Sequence, residues 1–206
     1  MSWKDWLTAV ALVIELAGAL YYLWTIPKGD TRPQPISWAG WTAIGAVGTW
    51  AAYSGGAGRA ALVAAAFVFV TATIFLVSLV PGYGHKGTDK PEPTDLPVLI
   101  IGVILLILRA LNIFPPSLHV TLAVAGDFCF AWFTLRKAWR YPETESLLGW
   151  LAAVIAAGLG LVVIGNFSYT ALLFPLYLFV GNSAIAAVIL IQRQKTAPGH
   201  ANNKRR

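Results

Sequence analysis

Two stretches decide the fold of this chain: WTIPKGDTRPQPISWAGW at residues 24–41 and FTLRKAWRYPETESLLGW at residues 133–150. At an offset of 109 residues they share Thr25/Thr134, Lys28/Lys137, Pro33/Pro142, Ser37/Ser146, Gly40/Gly149 and Trp41/Trp150. Six identities in these eighteen columns compare with about one expected by chance. Each copy lies where one apolar run ends and the next begins. A parallel repeat of membrane helices puts a working site at the seam between its halves, near the midplane.

The surrounding composition supplies the membrane. Of 206 residues 57% are hydrophobic and 12% charged, against about 25% charged in a soluble domain. A core of this size could not hide that much apolar surface, so the solvent must be lipid. Seven segments are expected to be long and apolar enough to cross a bilayer, which takes about 20 residues with a range of about 17 to 25. They run over roughly 6–26, 37–54, 60–81, 96–114, 117–135, 146–165 and 168–192. Pro115-Pro116 divides the fourth span from the fifth, because proline excludes helix from the residue before it.

Charge sets the orientation. With the N-terminus outside, the cytoplasmic face receives Lys28, Arg32, Lys86, Lys90, Arg136, Lys137 and Arg140. The tail adds Arg193, Lys195, Lys204, Arg205 and Arg206, making 12 of the 15 Lys and Arg. The positive-inside rule then predicts N-out, C-in. That rule accounts for the net charge of +6 and removes it as an argument for nucleic acid. Lys4 and Ala17-Gly18-Ala19 faintly suggest a cleaved leader, but Asp5 and Glu15 interrupt that pattern and predict an uncleaved first helix. Cys129 is the single cysteine, which excludes an internal disulfide and cysteine-based metal sites.

The expected fold is therefore an all-α integral membrane protein of two parallel three-helix repeats joined by a linker helix. Residues 1–81 form the first repeat, 82–116 a cytoplasmic loop and the linker, 117–193 the second repeat, and 194–206 a basic disordered tail. The linker is needed because three spans reverse the chain, and a fourth restores its direction before the second repeat begins.

This three-plus-one-plus-three pattern, with the repeated motif at the exits of spans one and five, resembles the PQ-loop and SWEET-like transporter superfamily. The resemblance covers nearly the whole chain as architecture and residues 24–41 and 133–150 as motif. Ile26-Pro27 and Leu135-Arg136 occupy the places of the family's Pro-Gln pair, so one proline survives and neither glutamine does. A literal Pro33-Gln34 falls later, at the entry to span two. By resemblance Pro27 is a hinge, and an asparagine on the third helix of each half faces substrate. That implies Asn182, with Thr73 opposite it by the repeat offset. The nicotinamide-riboside carrier family shares the topology, but its Trp-x-x-Trp-x-x-x-Asn pattern is only partly echoed by Trp38, Trp41 and Gly45.

Among the residues themselves, Glu15 and Asp127 are the carboxylates deep in the spans, where an ionisable group costs about 2.5–3.5 kcal/mol to insert. They map within one helical turn of each other on equivalent helices, and we expect proton or cation coupling from them. Asn182 offers two donors and an acceptor to a hydroxyl-rich or amide solute. Trp41 and Trp150, each one turn into its helix, are candidate cavity walls, and Trp50 is a deeper one. The other tryptophans, Trp38 included, read as interfacial anchors. Pro33, Pro142 and Pro175 are expected to shape helix breaks, Ser37 and Ser146 to cap helices, and Lys28 and Lys137 to set topology.

These features predict a carrier of a small polar solute, a sugar or similar by resemblance, working as a uniporter or linked to protons. It would sit in a cell membrane, the bacterial inner membrane in particular, with room for a homo-oligomer. No cofactor, metal site or catalytic set is expected. A receptor or scaffold that kept the fold and lost transport is the competing expectation.

Overall fold

A computed structural model describes residues 2–54, 59–85, 92–165 and 167–196. The helices are α1 (Trp3–Thr25), α2 (Pro35–Ser54), α3 (Arg59–Ser78), α4 (Asp95–Ala110), α5 (Pro116–Arg140), α6 (Leu147–Val163) and α7 (Tyr169–Thr196), with a 3-10 turn at Pro142–Thr144 before α6. There is no strand among the described residues. Among the described residues three helices, α1, α5 and α7, are long and apolar enough to cross a membrane by themselves, where seven spans are expected.

Local chemistry explains the boundaries. Ser2 and Asp5 form a reciprocal capping box at the start of α1, with Ser2 N–H donating to Asp5 Oδ2 at 2.6 Å. Each satisfies a backbone donor that the first helical turn leaves free. Beyond α1, Pro27 follows and Gly29 takes φ +80°, a left-handed turn that a side chain would strain. Pro115 precedes α5, and Pro116 starts it where no N–H is needed. At α2 the cap differs from expectation: Gln34 Oε1 accepts the Ile36 N–H at 2.7 Å, and Ser37 lies inside the helix. Ser146 does cap α6, accepting from the Gly149 N–H at 3.3 Å. Helix α7 continues through Pro175 and on to Thr196, so Gln194–Thr196 is helical where a disordered tail is expected. The remainder of that tail lies outside the described residues, as do Lys86, Lys90 and Asn166.

The helices pack α1 on α6, α2 on α3 and α5, α5 on α4 and α7, and α6 on α7. Glycines bring two of these pairs close. A Cβ at Gly18 would collide with Ala152 of α6, and one at Gly40 would strike the Phe130 ring of α5. Small residues at crossings are how membrane helices gain packing where burial from lipid offers little.

Two buried clusters result. One joins Tyr22, Ile26, Trp38 and Ile74; the other joins Ala138, Trp150, Ile185, Ala186 and Ile189. Trp41 packs against both. The outer surface is apolar, with Val13, Phe69 and Ile104 exposed, while Asp127, Lys137, Glu145, Ser37 and Thr134 are buried. An apolar exterior around buried charge is the arrangement of a helical membrane protein.

Candidate functional site

The two stretches that repeat in the sequence lie against each other in space. The Arg32 N–H donates to the Thr144 carbonyl at 2.9 Å. The Ser37 hydroxyl donates to the Phe130 carbonyl at 2.7 Å and accepts from the Thr134 hydroxyl at 2.9 Å. Trp41 and Trp150 meet edge to face with ring centroids 5.8 Å apart.

From that contact the polar groups spread in two directions. Trp150 Nε1 donates to Glu145 Oε2 at 3.0 Å, and the Tyr22 hydroxyl donates to the same oxygen at 3.3 Å. Glu145 Oε1 takes the Lys137 ammonium at 2.7 Å. Both charged side chains are sealed, at 1% and 0% exposure. Lys137 directs its other hydrogens to the carbonyls of Arg32 and Thr144, so all three ammonium donors have acceptors. Arg193 of α7 closes the rim, donating to the carbonyls of Pro142 and Glu145 at 3.1 and 2.6 Å. The bend that Pro142 starts is what folds Glu145 back onto Lys137 eight residues earlier. A buried pair repays its desolvation only when its remaining lone pairs and hydrogens are satisfied, and here they are.

In the other direction Trp41 Nε1 donates to Asp127 Oδ2 at 3.3 Å, and the Tyr177 hydroxyl donates to the same oxygen at 2.7 Å. Trp38 stands edge-on to Trp41 at 5.0 Å and tilts against Tyr22 at 5.1 Å. Tyr22, Trp38, Trp41, Trp150 and Glu145 thus close a ring of side chains drawn from α1, α2, α6 and the segment before α6. Asp127 hangs from it through Trp41.

Several expectations change here. Lys137 is no surface topology residue: it is buried and ion-paired, while its repeat partner Lys28 is exposed and stacks on Trp24. Trp38 is buried at 9% exposure rather than anchored at an interface. Trp50 is 71% exposed and leans on Tyr53. Ser37 bridges to α5 instead of capping.

The expected solute-facing set does not assemble. The Thr73 hydroxyl returns to the Phe69 carbonyl of its own helix at 2.7 Å, which satisfies it locally. Asn182 is half-buried, and no hydrogen bond or ring contact joins it to Thr73 or Trp50. Glu15 is half-buried without a hydrogen bond to a described residue, and it does not meet Asp127. Of the expected hinges, Pro33 and Pro142 are fully buried and Pro27 is exposed in the turn after α1.

Four members of the network escape the sequence reading: Tyr22, Lys137, Glu145 and Tyr177. The shared Lys28/Lys137 column marks one of them but cannot reveal its burial. A cleft of about 380 Å³ opens beside the network and shares Lys137 with it, lined also by Gln34, His85, Glu92, Asp95, Arg136 and Arg140. Arg136 pairs with Asp95 and Glu92, and Arg140 with Glu92, which fixes α4 against the end of α5. No group of three or more histidine, cysteine or acidic side chains that could hold a metal ion occurs among the described residues.

Comparison of the chain with protein-family models, with curated proteins and with solved structures finds no match.

Proposed function

We propose that this chain is a membrane transporter for a small polar solute, built of seven spans with the N-terminus outside. It alternates access by rocking two three-helix halves about the Trp41–Trp150 contact. The observation that carries the reading is that contact itself: two columns of the sequence repeat meet at a buried polar seam. Ionisable groups inside a membrane protein mark pathways and relays.

The helix pairings support the same reading. α1 packs on α6 and α2 on α5, so each first helix of a repeat lies on the second helix of the other. Under the positive-inside orientation the Lys137–Glu145 pair lies toward the cytoplasm. Held by Tyr22 from one half and Trp150 from the other, it closes that side. Resemblance to PQ-loop proteins agrees with this assignment at the level of architecture.

A cysteine scan tests it. In a Cys129→Ser background, Asn182→Cys should react with a membrane-impermeant thiol reagent added from either side of sealed vesicles. Reaction from one side only, with the folded protein present, contradicts alternating access.

A further inference from the structure

Where α2 and α4 begin and α5 ends, the chain leaves the cleft of about 380 Å³. That is near the lower end of small-molecule sites, about 300–1,000 Å³. Under the positive-inside orientation it lies on the cytoplasmic side. Both repeated stretches wall it, the first through Gln34 and Ile36, the second through Phe133, Arg136 and Arg140.

Among the described residues its ion pairs balance. Arg136 and Arg140 face Asp95 and Glu92, and Lys137 is answered by Glu145. Yet one group of each sign is only partly used. Arg136 reaches Asp95 and Glu92 through Nη1 alone. Its Nε and Nη2, which lie side by side along one edge of the guanidinium, have no partner among the described residues, and neither is sealed from solvent. Glu92 gives Oε1 to Arg140. Its Oε2 stands 3.7 Å from Arg136 Nη1, beyond hydrogen-bond reach, and is not sealed either. Asp95 is complete: Oδ1 takes Arg136, and Oδ2 accepts the Glu92 N–H at 2.9 Å.

An open guanidinium edge takes a carboxylate through two parallel hydrogen bonds, and an open carboxylate oxygen takes an ammonium. One cleft presents both. A bare anion would meet Glu92 and Asp95, and a bare cation the two arginines, so each loses on one side what it gains on the other. A zwitterion uses both. Ile36, Leu96, Leu99 and Phe133 supply apolar wall and suit an aliphatic side chain. A sugar would set hydroxyls against that wall without partners.

We infer that the cleft binds a zwitterionic amino acid with an aliphatic side chain, its carboxylate on the Nε–Nη2 edge of Arg136 and its ammonium on Glu92 Oε2. As the substrate class of a carrier the inference rests on the transporter reading above; the binding itself does not.

The test uses the full chain purified in detergent and stripped of lipid, with calorimetric titration and thermal shift as readouts. Leucine is compared with isocaproate, which lacks the ammonium, with isoamylamine, which lacks the carboxylate, and with glucose. Leucine should bind, and the other three at least about tenfold more weakly. Arg136→Lys keeps the charge beside Asp95 and removes the two-pronged edge, so it should abolish the preference for leucine over isoamylamine. Glu92→Gln should abolish the preference for leucine over isocaproate. If a variant does not fold, the wild-type comparison decides alone. No binding of leucine, leucine bound no better than either half-analogue or glucose, or a preference unchanged in either variant overturns the inference. Short-chain phosphatidylethanolamine that binds where leucine does not would mark a lipid headgroup site and overturn it as well. Flux in proteoliposomes separates the two readings. Leucine binding that needs Arg136 and Glu92, with no flux of any solute, would support the site and overturn the transporter. Glucose flux indifferent to both residues would keep the transporter and overturn the amino acid.

Discussion

Trp41 and Trp150, repeat-equivalent and 109 residues apart in sequence, touch edge to face at 5.8 Å, and each donates its indole N–H to a different buried carboxylate. Trp41 holds Asp127 and Trp150 holds Glu145. One residue type therefore serves two carboxylates with different partners, one ion-paired to Lys137 and one without an ion pair among the described residues. The two aligned stretches differ at Glu145, where the first has Ile36, so the two sides of this contact are unequal.

Loss of one member of the Lys137–Glu145 pair should be severe. Lys137→Met or Glu145→Gln leaves the other group buried without its partner and is expected to cost about 3–5 kcal/mol. Chemical unfolding in detergent measures it. The double variant should recover at least about 1 kcal/mol relative to the sum; strict additivity would refute the pairing. By contrast Arg140→Ala, at a partly exposed ion pair with Glu92, should cost less than about 1 kcal/mol.

Gly40→Ala and Gly149→Ala occupy equivalent columns but should behave differently. At Gly40 a methyl group meets the Phe130 ring, itself 4% exposed and unable to move aside. Overpacking of that kind costs about 1–3 kcal/mol. At Gly149 the nearest atoms, Ser146 Oγ and Tyr22 Cδ2, lie 3.2 Å from the added carbon, so small shifts suffice. Melting temperatures that fall equally in the two variants would contradict this asymmetry.

Thr134→Val removes the hydroxyl that donates to Ser37 and is expected to cost about 1 kcal/mol, the usual net value of a hydrogen bond. Ser37→Ala should cost at least as much, since it leaves the Thr134 hydroxyl buried without an acceptor. Denaturant midpoints unchanged in both variants would show that the hydroxyl chain does not hold α2 to α5.

Much of the helix plan was readable from sequence, because Pro27 follows the end of α1, Pro115 and Pro116 separate α4 from α5, and apolar length does the rest. Helix rotation was harder. α2 is apolar nearly all round, so nothing in its pattern tells that Trp41 and Trp38 point inward while Trp50 points out. Lys137 near a helix end obeys the positive-inside rule whether buried or exposed, which hid its role. The environment of Glu145 depends on Tyr22, 123 residues away, and no local spacing records such a docking. Asp127 was visible, since a carboxylate among apolar residues stands out, but its aromatic partners were not.

Trp41→Phe keeps an aromatic ring, though a smaller one, and deletes the N–H that holds Asp127. Flux should fall at least about tenfold while the melting temperature stays within a few degrees. Full activity would remove Asp127 orientation from the mechanism. Trp150→Phe acts instead on the Lys137–Glu145 side, and its larger effect should be on stability, read by the same two assays.

The central claim is that this chain moves a solute across a membrane, and counterflow in proteoliposomes tests it most directly. Vesicles preloaded in turn with unlabelled sugars, nucleosides, amino acids or amines should, for one of these classes, accumulate the labelled solute transiently above equilibrium, an overshoot that Asp127→Asn abolishes. Wild-type vesicles with correctly folded protein that show no overshoot for any of these classes would contradict transport itself.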